Sequence, residues 1–223
     1  MKFTHRFLVI AAVFITCVIT ANVIAVKVIS IGPLVLPAAI IIFPLSYIFG
    51  DVITEVYGYH RARQMIWLAY ACNLLFVLFV WIAQIIPGAG FWEGQQAYET
   101  ILGIVPRLVL ASFAGGIAGE FANSFVLSRM KILTGGRWLW MRTIGSTIVG
   151  QGLDTALFVF IAYFGTPNFV PLMILYHWLA KTLVEALATP LTYVAVGYLK
   201  RKEKIDAYDE AVNYNPFSLM QEK

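Results

Sequence analysis

The sequence predicts an all-α, polytopic membrane protein, and three observations carry that prediction. Of 223 residues, 60% are hydrophobic and only 13% charged, where a soluble domain carries about 25% charge; the mean hydropathy is +0.79. Six apolar runs, 7–26, 34–49, 64–86, 107–126, 143–164 and 172–199, approach or exceed the ~20 residues that cross a ~30 Å hydrocarbon core. The basic residues gather in alternate connections. Residues 1–204 therefore read as one domain of six transmembrane helices and 205–223 as a polar cytoplasmic tail.

The first run follows Lys2 and Arg6, as a secretory signal would, but it exceeds the roughly 7–15 apolar residues of a signal core, and five further runs hold the chain in the bilayer regardless. The second is short and carries Pro37 and Pro44, which predicts a Pro-kinked helix whose freed carbonyls face protein or a cavity. The connection 87–106 sets Phe91, Trp92 and Tyr98 among Glu93, Gln95, Gln96 and Glu99; such a segment lies in the outer interface with its aromatics at headgroup depth. Trp138 and Trp140 form a similar belt on the other side. Beyond Lys204 the mixed charges Asp206, Asp209 and Glu210 predict a frayed helix or disorder.

Orientation follows from the basic count over short loops. Lys2 and Arg6, Arg61 and Arg63, then Arg129, Lys131, Arg137 and Arg142, then Lys200, Arg201, Lys202 and Lys204 fall on one side, and little beyond Lys27 and Arg107 on the other. Both termini are placed in the cytoplasm, so the net charge of +4 implies no nucleic-acid partner. Cys17 and Cys72 sit inside helices, which indicates neither a disulfide framework nor a metal site. No phosphate-binding Gly-x-x-x-x-Gly-Lys-Ser/Thr loop, no His-Glu-x-x-His and no Gly-x-Ser-x-Gly occurs, so an enzyme is not expected and no cofactor is implied.

The chemistry is concentrated in polar groups inside the apolar runs. Gly119-Glu120-Phe121-Ala122-Asn123-Ser124 and Gly150-Gln151-Gly152-Leu153-Asp154-Thr155 are versions of one pattern, polar at i, i+3 and i+4. On a helix that spacing puts carboxylate, amide and hydroxyl on one face. An ionisable group at mid-membrane costs about 2.5–3.5 kcal/mol even on lenient insertion scales, so these faces imply a polar interior that they line together. The two runs are adjacent and hence antiparallel, as an inverted repeat with a midplane site would arrange them. His177, Lys181 and Glu185 recur every fourth residue in the last run. Lys181 and Glu185 either neutralise each other or line the same interior. Asp51 and Glu55 stand one turn apart; they are read either as a structural pair bonded to an arginine or as a gate that exchanges protons, with Arg107 and Arg142 as further gating candidates. Asn22, Tyr47, Tyr70 and Asn73 are candidates for the cavity wall.

Taken together, the run 43–63, Arg107-x4-Ser112, Gly119-Glu120-x2-Asn123-Ser124, Arg142-x3-Ser146-Thr147-x2-Gly150-Gln151-x2-Asp154-Thr155 and Tyr176-x4-Lys181-x3-Glu185-x4-Pro190 resemble the queuosine precursor transporters, also called the vitamin uptake transporter family. The likeness runs from about residue 7 to 198. It implies a six-helix importer of 7-deazaguanine bases in the cell inner membrane, distantly similar to the substrate-binding subunits of energy-coupling-factor vitamin transporters. The base would be bound between the fourth, fifth and sixth runs by Glu120, Asn123, Ser124, Gln151, Asp154, Thr155, Lys181 and Glu185, with Tyr47 stacking. A carboxylate can accept the paired N1 and N2 donors of a deazaguanine, and an amide can meet its O6. Either Glu120 or Asp154 fills the first role.

The expected partners are a deazapurine base and the lipid bilayer. A homodimer stays open, and a solitary carrier needing no separate energising module is favoured over a binding subunit of an ATP-driven transporter. A membrane scaffold without ligand is the remaining alternative. Charged faces in three helices argue against it, because packing alone is served by small and apolar residues.

Overall fold

Five of the six apolar runs form long helices in the computed structural model, which describes residues 4–24, 27–31, 34–103, 106–165, 171–210 and 212–218. These are α1 (His5–Ile24), α3 (Tyr59–Ile85), α5 (Pro106–Leu133), α6 (Leu139–Tyr163) and α7 (Leu172–Glu203), with a 15-residue α2 (Phe43–Tyr57) and a short α4 (Gln95–Leu102) between them. All five long helices are apolar and long enough to cross a membrane. Leu68, Leu78, Phe79, Leu183, Leu187, Leu191 and Val194 point outward from the bundle, which in water would be a large aggregation-prone surface and in a bilayer is the lipid face. The chain is a multi-pass membrane protein.

The second apolar run departs from expectation. Instead of one Pro-kinked helix, residues Val28–Ile31 (β1) and Leu34–Pro37 (β2) pair as an antiparallel hairpin, with Ile29 opposite Leu36. A 3-10 turn, Ala38–Ile41, then leads into α2. The β-branched residues Val28, Ile29, Ile31 and Val35 favour strand, and Pro37 bars a helix from continuing through the run. Pro44 stands in the first turn of α2, where its missing N–H costs nothing, so it begins the helix rather than bending it. At ~1.5 Å per residue, 15 residues span only about 22 Å. This short helix, which carries Asp51 and Glu55, is tolerated because protein surrounds it: α1, α3, α5 and α7 all pack against it, and every residue from Asp51 to Val56 is buried. Val52, Ile53 and Val56 join Phe14, Ala62 and Ala69 in the main apolar core.

One end of the bundle collects the start of α1, the end of α2, the start of α3, the end of α5, the start of α6 and the end of α7. The Phe7 and Tyr57 rings meet edge to face at 5.1 Å, and Arg6 pairs with Glu203 at 3.0 Å. Most of the basic residues lie at this end.

The tail is docked, not frayed. The Ala207 N–H donates to the Val56 carbonyl at 3.1 Å. Asp209 Oδ2 accepts from the Tyr59 N–H at 2.8 Å and from the Ser128 hydroxyl at 2.5 Å. Arg63 donates to the carbonyls of Asn213 (2.9 Å) and Asn215 (2.7 Å), and Trp67 Nε1 to that of Pro216 (2.8 Å). Tyr214 packs on Tyr59 and Phe125. The segment holds its place because Ile205, Val212 and Tyr214 pack against the apolar clusters and Asp209 and the carbonyls of residues 213, 215 and 216 meet donors at the ends of α3 and α5.

Candidate functional site

α5 and α6 make the most extensive helix pairing in the bundle, and they meet through the two matched motifs. A Cβ on Gly115 would lie 2.6 Å from the Asp154 carbonyl oxygen, and one on Gly119 would lie 2.7 Å from Asp154 Cβ. The absence of side chains at these positions lets the backbones approach and carries the polar residues of both helices inward.

The polar interior is walled by α2, α5, α6 and α7. Tyr47, buried on α2, donates its hydroxyl to Gln151 Oε1 at 3.2 Å. One turn on, Asp51 Oδ1 accepts from Asn123 Nδ2 at 2.8 Å, and Thr54 donates to the Ser124 hydroxyl at 3.2 Å. Thus α2 is stitched to both matched motifs by residues at i, i+4 and i+7, one stripe of a helix. Across the interior, Lys181 of α7 pairs with Asp154 at 2.5 Å. The neutralisation expected between Lys181 and Glu185 is not what forms. Glu185 is completely buried, and neither carboxylate oxygen has a hydrogen-bond partner among the described residues.

Glu120 is only partly buried. Its Oε2 lies 3.5 Å from where Gly50 would carry a Cβ, and it lies within the electrostatic field of Asp51, Asp154 and Lys181. Tyr70 of α3 shares the field of Glu120 and Asp154. The other Asp51 oxygen, Asn123 Oδ1 and Thr155 Oγ1 are buried without hydrogen-bond partners among the described residues. Each such atom carries an unmet desolvation cost of about 1–3 kcal/mol. Several of them on facing helices make a surface with unused capacity for a polar molecule.

The structure separates Asp51 from Glu55. Asp51 faces this interior, whereas Glu55 lies at the basic end, held by both terminal nitrogens of Arg142 and by Lys200 at 2.7 Å, with Lys131 at 3.6 Å. Arg142 also donates to the carbonyls of Arg137 and Gly136, both at 3.1 Å. Asp206 from the tail completes the cluster by bonding Lys131 and, at 2.9 Å, Lys200. Burial acts to raise the Asp206 pKa, but the hydrogen bonds from Lys131 and Lys200 outweigh it and hold the carboxyl below its ordinary value. The side chain of Arg107 lies outside the described residues.

Lys131, Lys200, Asp206 and Thr54 were not legible as parts of a site, because the two lysines look like positive-inside residues. A signal was nevertheless present: Ser124, Ser128 and Lys131 continue one face of α5 at i, i+4 and i+7. A groove of about 480 Å³, lined by Cys72, Leu75, Phe76, Phe79, Val80 and Tyr98, lies between α3 and α4. It is mostly apolar and none of the carboxylates lines it, so it is not this site.

Spanning helices closed around carboxylates, amides and hydroxyls define a membrane protein with a polar interior, and its likeness to known proteins makes it a transporter rather than an enzyme. A family model described as "Putative vitamin uptake transporter" matches residues 37–195, and the chain belongs to that family. It is 29% identical over 189 residues to the "Probable queuosine precursor transporter" of Bacillus subtilis (strain 168), covering 83% of this chain and 82% of that protein. It is 27% identical over 143 residues to the "Queuosine precursor transporter" of Escherichia coli (strain K12), covering 64% of this chain and 61% of that one. No solved structure matches.

Proposed function

We propose that this protein imports queuosine precursors, 7-deazaguanine bases, across the cell inner membrane, with six crossings and both termini in the cytoplasm. The relatives' names supply the substrate class, and the observation that carries the site is Glu120. It is a partly open carboxylate that makes no side-chain hydrogen bond among the described residues, while Asp154 is taken by Lys181. Glu120 accepts the N1 and N2 donors of the base, and Asn123 and Gln151 meet its remaining polar edge. Tyr47, tied to Gln151, and Tyr70 offer flat faces for the ring. The chain acts as a solitary carrier, and its ionic cluster at Glu55 closes the cytoplasmic end in this conformation.

The test is thermal stabilisation of purified protein by guanine, 7-cyano-7-deazaguanine, 7-aminomethyl-7-deazaguanine and queuine, since a ligand bound only by the folded state shifts stability by RT ln(1 + [L]/Kd). A shift with a deazaguanine that disappears in Glu120→Gln supports the substrate class and the site. No shift with any of the four in folded protein removes the substrate class. Uptake into liposomes containing this chain alone supports the solitary carrier; uptake only with an added ATP-driven partner supports the binding-subunit alternative.

A further inference from the structure

The polar interior holds more negative charge than its cations answer. Asp51 on α2, Glu120 on α5, Asp154 on α6 and Glu185 on α7 lie close enough to act on one another or on shared tyrosines. Among the described residues, the cation placed directly among them is Lys181, already bonded to Asp154. His177 stands one turn further along α7, next to Lys181 rather than to Glu185. Asp51 also feels the charges of Glu55 and Arg142 at the basic end, but those two are bonded to each other. Three carboxylates are thus left to share a low-dielectric space, where an unpaired charge costs several kcal/mol.

These three are not equivalent. Glu120 is partly open, and Asp51 has one oxygen satisfied by Asn123. Glu185 has no exposed surface and, among the described residues, no hydrogen-bond partner on either oxygen, and its field neighbours are both acidic, Asp51 and Glu120. The helix just beyond Glu185 is also interrupted in its hydrogen bonding. Pro190 cannot donate to the carbonyl of residue 186, and the Thr189 hydroxyl bonds back to the Glu185 carbonyl at 3.0 Å, a pattern that bends helices.

We propose that Glu185 is the proton-carrying group of transport, exchanging its proton with Asp51, and that one proton enters with each substrate molecule. This rests on the carrier reading above. With the interior open to the outside, the Glu185 carboxylate takes up a proton; with it open to the cytoplasm, the carboxyl releases that proton. The substrate leaves chemically unchanged and nothing is oxidised or reduced. Neutral Glu185 lets α7 close on α2 and α5, whereas charged Glu185 repels Asp51 and Glu120 and favours opening at the Pro190 turn. Glu55, bonded to three cations, does not serve as the carrier.

Two measurements test this. Infrared spectroscopy of purified protein without substrate is expected to show a protonated carboxyl C=O band that is lost in Glu185→Gln, moved in Glu185→Asp and retained in Glu120→Gln. A wild-type spectrum without such a band, or one unchanged in both Glu185 variants, overturns the proposal. If Glu185→Gln does not fold, as judged by its melting curve, Glu185→Asp decides the assignment. In proteoliposomes, an inward gradient of one pH unit is expected to raise accumulation of 7-cyano-7-deazaguanine by up to roughly tenfold, the limit for one proton per neutral molecule. A protonophore abolishes the rise, and Glu185→Asp reduces it. Stimulation by sodium but not by protons, or a rise unaffected in the variant, overturns the coupling. If no deazaguanine stabilises the wild type while the infrared band is present, the substrate reading has failed and the proton site stands.

Discussion

Gly119 of α5 and Gly150 of α6 face each other reciprocally: a Cβ built on either would lie 2.8 Å from the carbonyl oxygen of the other. Four residues on, the relation is completed. The Gly119 position abuts Asp154, and a Cβ at Gly150 would lie 2.8 Å from Asn123 Cβ. Position i of each motif therefore meets position i+4 of the other, as two antiparallel copies related by a local two-fold would. The contact fixes the register that carries Asn123 toward Asp51 and Asp154 toward Lys181.

Replacing Gly119 or Gly150 by Ala forces this contact apart. Each change is expected to destabilise by about 1–3 kcal/mol, the cost of overpacking, and to lower the melting temperature. Because both relieve strain by the same separation, the double variant is expected to cost less than the sum of the singles. Unaltered melting in both singles refutes the close approach.

Glu55 is buried and neutralises the cations at the basic end. Removing its charge in Glu55→Gln leaves buried Arg142 without its carboxylate partner, a loss of about 3–5 kcal/mol where a buried pair is broken, while Lys131 keeps Asp206. Asp206→Asn is expected to cost much less, since that side chain is 44% exposed and water shares its load. Arg142→Lys is not expected to substitute, because an ammonium cannot reproduce the two-nitrogen contact. Comparing the melting temperatures of the three variants checks the order.

The docked tail has a defined pH window. The folded Asp206 carboxyl sits below its ordinary value, so its contribution is fully present above the unfolded pKa of about 3.9 and is lost as pH falls through the folded one. Hydrogen exchange of residues 204–210 is expected to stay slow from neutral pH to about pH 5 and to quicken only in stronger acid. Asp209→Ala is expected to speed exchange at the first turn of α3 even at neutral pH, by removing the acceptor of the Tyr59 N–H, a loss of about 1 kcal/mol.

Asp154 and Lys181 are expected to be coupled. Asp154→Asn leaves Lys181 without its 2.5 Å partner, and Lys181→Met leaves Asp154 likewise. Each single variant is expected to lose more stability than the pair combined, with a coupling energy of about 0.5–3 kcal/mol. Additive losses in a double-mutant cycle of melting curves argue that the contact carries no energy.

Much of the candidate site could be read from spacing alone. Glu120, Asn123, Gln151 and Asp154 announce a shared interior because helical periodicity is local and a mid-membrane carboxylate is costly wherever it faces lipid. Pairing was less legible. Lys181 and Glu185, one turn apart on α7, invited mutual neutralisation, yet Lys181 reaches across to Asp154 and Glu185 is left alone. Asp51 and Glu55, also one turn apart, point to different neighbours. Spacing places residues on a face; the partner opposite that face depends on the crossing of another helix.

By itself the sequence determined the membrane class, the long helices, the concentration of basic residues at one end and the stretches that carry polarity, because hydropathy, charge count and helical period are properties of contiguous residues. Only the structure decided that Val28–Ile31 pairs with Leu34–Pro37, that Pro44 starts α2, that the tail is docked and that three cations surround Glu55. The docked tail and the cluster at Glu55 depend on contacts between residues far apart in the chain, whereas the strand pairing and the start of α2 are local features that hydropathy does not distinguish from one apolar helix. The tail's polar groups look solvated in sequence and are held only because the ends of α2, α3, α5 and α7 present matching donors, acceptors and charges at one place.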